Sequence, residues 1–270
     1  MKGLTHRSAG SSATIASATS GLSTLAKLTW GQVSTLPNAA LGFPDLLRSV
    51  ADRALAIPSD RRRAPNPALT LRVFAKLVRA SADTKDAYLS LLTASADSSV
   101  GDAVHPAFVD VLSQLDGDEL RILETMDHDG PYPLISVSSR LQHGGGSRVE
   151  LRHFSLLGER SACQHSDRTP AYLDNLARLG VVEIRPTRVT DDVRMFQPVE
   201  THPTIVAART RIESQPAVRV GPLSEAIVAD LNYKSLFLTS FGRQFRDVCF
   251  FRPDAPQARM TVRDETFESR

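Results

Sequence analysis

The sequence predicts an α+β protein that is mainly helical. Three observations predict it. Apolar residues recur at three- and four-residue spacing through much of 43–126, as in helices packed on a core. Strand-like runs such as "LISVSSRL" (134–141) and "SLFLT" (235–239) come later in the chain. With 270 residues, 41% of them hydrophobic, the chain can bury one large core or two modest ones.

In chain order, residues 1–37 are poor in bulky apolar groups and read as a flexible Ser/Thr/Ala-rich tail rather than a transit peptide. Leu22, Leu25 and Leu28 near Trp30 could form a short docking helix. A helical region is expected over 38–100. In "FPDLLRSVADRALAI" (43–57), Pro44 suits the first turn and Leu47, Val50, Ala51 and Ala54 make the stripe. "PSDRRRAPNP" (58–67) reads as a solvated, extended linker carrying Arg61, Arg62 and Arg63. Helices over 68–80 and 84–95 follow, the second with Ala87, Tyr88, Leu91 and Leu92 on one face.

A domain is expected over 101–252 and a tail over 253–270. "HPAFVDVLSQL" (105–115) is a helix opened by Pro106, and "DGDE" (116–119) is a capping box for the next one. The breaker "DHDGPYP" ends that helix, and strand 134–141 leads to the flexible "HGGGS" turn. Residues 148–158 are ambiguous between strand and helix. In "TPAYLDNLARLGVVEI" (169–184), Thr169 is the expected cap, Pro170 starts a helix, Gly180 ends it and a strand follows. Residues 187–200 read as irregular, 202–213 as helix and 214–224 as loop with a short "AVRV". "SLFLT" then enters a helix whose Phe241, Phe245, Val248 and Cys249 share a face. This order predicts N-terminal helices packed on a winged-helix-like domain with insertions.

Net charge is +2, so composition by itself names no polyanionic partner. The charges are uneven: residues 1–100 carry 12 Lys+Arg against 6 Asp+Glu, and the remainder 20 against 24. Two distant cysteines, Cys163 and Cys249, fit a reducing cytoplasm better than a disulfide-stapled secreted domain. No run of 18 apolar residues predicts a membrane span.

Three stretches carry a family resemblance: "VHPAFVDVLSQLDGDELRILETM" (104–126), "YLDNLARLGVVEI" (172–184) and "LFLTSFGRQFRDVC" (236–249). With "KDAYLSLLTASAD" (85–97) upstream, the chain resembles the Abi-alpha family of bacterial abortive-infection proteins over roughly 66–250. The resemblance implies a role in anti-phage defence and supplies no catalytic residues. The first 60 residues fall outside it.

Candidate chemistry is sparse. "HGGG" (143–146) resembles the oxyanion loop of some esterases, but no G-x-S-x-G accompanies it and a turn is favoured. "CQH" (163–165) sets a thiol near an imidazole, with His143 and His153 upstream, yet the spacing matches no zinc pattern. Asp116 and Glu119 are explained by capping, and Asp127 and Asp129 by a turn. No cofactor or metal is expected, and no catalytic motif is found. Contact candidates for a nucleic acid or another partner are Arg61, Arg62, Arg63, Arg168, Asn175, Arg178, Arg185, Arg188 and Arg194. Tyr172, Leu176 and Leu179 face the core in the 170–179 helix, and Asp174, Glu183, Asp191 and Asp192 offset its cations. The expected function is therefore phage defence through binding of a phage or host macromolecule, with a protein partner favoured. The alternatives are a DNA- or RNA-binding regulator and an enzyme of unknown type.

Overall fold

The computed structural model describes residues 43–187 and 193–253. The N-terminal tail with Trp30, most of the C-terminal tail and Arg188 lie outside them. Five helices come first: α1 (Phe43–Ala56), α2 (Pro67–Leu77), α3 (Ala82–Ser95), α4 (Phe108–Leu112) and α5 (Gly117–Thr125). Strands β1 (Tyr132–Leu141) and β2 (Ser147–Phe154) are followed by helices α6 (Leu157–Arg160) and α7 (Thr169–Arg178), then β3 (Val182–Pro186). Helices α8 (Val193–Glu200) and α9 (Pro203–Glu213) precede the hairpin β4 (Val218–Val220) and β5 (Leu223–Glu225). Strand β6 (Ile227–Leu238) and helix α10 (Ser240–Cys249) complete the described chain. The protein is α+β and mainly helical, with one four-stranded sheet ordered β2-β1-β6-β3, antiparallel at every pairing.

Helix α3 is central. Ten of its residues are buried, beyond the single expected face, because α1, α2, α4, α5 and α10 all contact it. Its polar groups stay satisfied locally: Thr93 Oγ1 donates to the Leu89 carbonyl and Ser95 Oγ to that of Leu92. The main core runs from Leu69 to Phe251 and includes Leu134, Leu236 and Leu238 from the sheet. The opposite sheet face holds a second cluster, in which Ile135 and Val137 meet Phe196, Val199, Ile205, Ala208 and Ile212. Strand β1 is thus buried on both faces.

Several expectations need correction. Residues 193–200 are helical, although Pro198 lies inside α8; Phe196 and Val199 anchor it on the sheet, and tertiary packing overrides the breaker. Strand β6 begins at Ile227, eight residues before "SLFLT", because Ile227, Ala229, Leu231 and Tyr233 alternate onto the second cluster. The helix expected over 105–115 covers only Phe108–Leu112. Thr169 does not cap α7; its hydroxyl donates to the Ser166 carbonyl, and Arg168 occupies the cap position. Residues 148–158 divide into β2 and the start of α6. The Asp116–Glu119 capping box forms as expected, and Gly180 ends α7 with φ of 72°.

The Arg run is tied down rather than free. Arg61 makes two bonds to the fully buried Asp97, at 3.1 Å to Oδ1 and 2.5 Å to Oδ2. Arg62 donates to the Ile57 and Leu55 carbonyls, and Arg63 to the Ser95 carbonyl and Asp102. Burial opposes ionisation of Asp97, but bonds from Arg61 and Ser99 hold its carboxyl below the usual range. The segment is a clasp joining α1 to the end of α3.

Candidate functional site

A cleft of about 820 Å³ opens between α2, the starts of α3 and α5, and the 164–168 segment leading into α7. One wall rests on Asp118, buried in the first turn of α5. Its carboxylate accepts from the Gln164 N–H (2.8 Å), the His165 N–H (2.9 Å), the Tyr172 hydroxyl (3.0 Å) and Arg121 (2.6 Å). Burial pushes this carboxyl toward neutrality, yet the four donors prevail and hold it at about 2. Burial and the neighbouring Asp118 together push Tyr172 up to about 12. Asp118 is therefore a permanent anion binding three segments of chain, and its hydrogen bonds show no reacting group.

Helix α7 is turned inward by the same contacts. Asn175 Nδ2 donates to Glu119 Oε1 (2.7 Å) and to the Gln114 carbonyl (3.1 Å). Glu119 Oε2 in turn accepts from the Asp116 N–H, and burial raises the Glu119 carboxyl despite these bonds. Arg178 bonds to Asn175 Oδ1 and to Gln114 Oε1. At the far end of α7, the Thr239 N–H donates to the Val181 carbonyl and the Thr239 hydroxyl to that of Gly180. Gly242 packs so closely that a Cβ there would lie 1.8 Å from the Val181 oxygen. The three stretches quoted from the sequence thus meet around α7.

Among the other contact candidates, Arg185 pairs with Glu183 and lies 5.1 Å over the Phe237 ring. Arg168 and Arg194 are exposed, with no ion pair or side-chain hydrogen bond among the described residues. Arg168 lines the cleft together with Lys76 and Arg79, which in the sequence stand between the apolar positions of a helix.

A second polar cluster joins β2, β6 and α7. Buried His153 has φ of 49° beside an irregularity in the β1–β2 ladder, and its N–H donates to Ser136 Oγ. Its Nδ1 is 3.0 Å from Asp174 Oδ1 and its Nε2 is 3.1 Å from Lys234 Nζ. A neutral ring satisfies both, donating to Asp174 and accepting from Lys234. Burial, then the Lys234 ammonium, push the imidazole down from its ordinary value.

The thiol and imidazole of "CQH" are not arranged as nucleophile and base. Cys163 Sγ donates to the Asp118 carbonyl at 3.6 Å, and burial, then Asp118, push the thiol up to about 11. His143 lies by Glu225 and His153 by Asp174, so these two histidines and Cys163 have separate partners. Among the described residues no group of three or more His, Cys, Asp or Glu could hold a metal ion.

The hairpin β4–β5 was legible only as a loop. Val218, Val220 and Leu223 share its one face, since Val218 pairs with Glu225 and Val220 with Leu223. They are 43%, 42% and 65% exposed.

Residues 42–249 match the family described as abortive infection alpha. The chain belongs to that family. No curated protein matches it. It is similar to the structure of an uncharacterized protein from the hydrocarbon-degrading marine bacterium Alcanivorax borkumensis SK2, at 18% identity and a TM-score of 0.36, covering 55% of this chain and 94% of that one. In this abortive infection alpha chain, the family match spans all three stretches that converge on α7. Among the described residues, no helix is long and apolar enough to cross a membrane.

Proposed function

We propose that this chain is a bacterial anti-phage defence protein that acts in the cytoplasm by binding a phage or host macromolecule, and that this macromolecule is a protein. Membership of the abortive infection alpha family supports the defence role. The apolar face of the β4–β5 hairpin carries the choice of a protein partner. Three adjacent aliphatic side chains left in water on a projecting element suit burial by another protein surface.

A nucleic-acid partner draws on the same arginines less well. Arg61, Arg62, Arg63, Asn175, Arg178 and Arg185 already hold intramolecular partners, leaving Arg168 and Arg194 among the described candidates. A phosphate backbone binds through several uncompensated cations at once. In our reading the helical region 38–100 buttresses a winged-helix-like domain over 101–252, with β3 and β6 as the wing and α7 as the helix before it. That wing is a scaffold rather than a reading head.

The test is to express the chain in a phage-sensitive host and plate a broad phage panel. Reduced plaque counts for at least one phage are expected, and unchanged counts across the panel overturn the defence role. Salt-dependent gel shifts that weaken with Arg178→Ala and Arg188→Ala would replace the protein partner with a nucleic acid.

A further inference from the structure

We propose that the cleft between α2 and α7 binds a nucleotide. This inference goes beyond the protein-binding reading and does not depend on it. The cavity, about 820 Å³, falls within the range of about 300–1,000 Å³ typical of small-ligand sites. Its lining mixes two kinds of charged group.

The first kind is cationic. Lys76 and Arg79 stand one turn apart at the end of α2, and the Arg79 N–H donates to the Lys76 carbonyl. Arg168 lines the same cavity from the segment entering α7. None of the three has an ion pair or side-chain hydrogen bond among the described residues. Arg121, the remaining arginine of the lining, is neutralised by Asp118 at 2.6 Å and Asp83 at 3.5 Å. Three cations without an ion-pair partner among the described residues thus line one cavity, an arrangement that favours an oxyanion near them.

The same lining holds the carboxylates Asp83 and Asp116 and the accessible apolar residues Ala75 and Ala80. Those carboxylates disfavour a ligand that is anionic along its whole length, such as a continuous phosphate backbone. A molecule that combines phosphoryl oxygens, an apolar ring surface and hydroxyl or amino donors matches this mixture. A nucleoside phosphate has these parts in a volume of this order.

Isothermal titration of the full chain tests this, with AMP, ADP, GMP, adenosine and inorganic phosphate as probes. At least one nucleotide should bind saturably in roughly the micromolar range. Adenosine and phosphate should each bind at least about tenfold more weakly. Lys76, Arg79 and Arg168 are all exposed, so Lys76→Gln, Arg79→Gln and Arg168→Gln should fold normally, as circular dichroism can verify. Each should weaken the nucleotide, and the triple variant should do so by at least about tenfold. Arg194→Gln, outside the cleft, should leave affinity unchanged. Absence of saturable nucleotide binding up to roughly millimolar concentration overturns the proposal. So does phosphate binding as tightly as the nucleotides, or an unchanged affinity in the triple variant. Plaque counts and calorimetry fail separately, so the two readings can be told apart.

Discussion

Asp118 shows how much one side chain can hold. Its carboxylate has four donors from three segments, and the amide of Asn at that position would turn two hydrogens toward some of them. Asp118→Asn should therefore lower stability by about 2–4 kcal/mol, measured by urea unfolding at pH 7. Because the folded carboxyl is held at about 2, below its ordinary 3.8, its stabilisation is complete above the ordinary value. It is lost as the pH falls from there through about 2. His153 behaves differently. Its folded imidazole titrates below the ordinary 6.5, so acidification through 6.5 protonates the unfolded chain first. Stability should fall with pH from about 6.5 until the folded value is passed. His153→Gln should flatten that slope in thermal unfolding between about pH 7 and 5, and an unchanged slope would assign it to other groups. The role of neither residue was legible in advance. An acid in the first turn of a helix is ordinary, and the four donors to Asp118 lie 3 to 54 positions away. The capping box three residues wide was legible because it is local.

At the scale of elements, α7 is a hub held at both ends, by Tyr172 and Asn175 toward α5 and by the Gly180–Val181 backbone toward α10. Gly180 and Gly242 give a pair of contrasting predictions. Gly180→Ala meets no atom within 4 Å but must keep φ at 72°, so it should cost about 1 kcal/mol. Gly242→Ala lies inside a helix, where Ala is intrinsically favoured, yet its Cβ would run into the Val181 carbonyl. It should cost about 3 kcal/mol or more, and unfolding midpoints that reverse this order would refute the close approach. The helices α2, α5, α7 and α10 were readable because their stripes and terminators lie within a few residues of one another. Helix α8 was not, since Pro198 argues against it locally and only the sheet beneath Phe196 and Val199 makes it worthwhile. The early part of β6 was masked by Asp230, Asn232 and Lys234, which alternate with the residues that pack inward.

For the whole molecule, one core links α2 and α3 to the sheet and α10, while the β4–β5 hairpin projects without adding to either cluster. Leu223→Asp should thus change unfolding free energy by no more than about 0.5 kcal/mol. If the hairpin is the partner surface, the same variant should restore plaque counts toward those of the unprotected host, and full protection by it would remove the hairpin from that role. The fold class and the family could be read from the sequence because both rest on ordered local patterns. The cleft could not, since Arg168 lies far along the chain from Lys76 and Arg79 and no spacing rule connects it to them. The longest ladder has a further consequence, for synthesis. Strand β1 pairs with β6 from Tyr132↔Leu236 to Leu141↔Ile227, so β1 leaves the ribosome well before its partner exists. At about 5–20 residues per second the interval is on the order of ten seconds. Until α8 and α9 emerge, Ile135 and Val137 have only the β1–β2 hairpin for cover, and until β6 follows the nascent chain presents an open, sticky strand edge. Yield in the cell should therefore respond to chaperone supply, and a message cut short before codon 227 should leave an aggregating fragment rather than a smaller working protein.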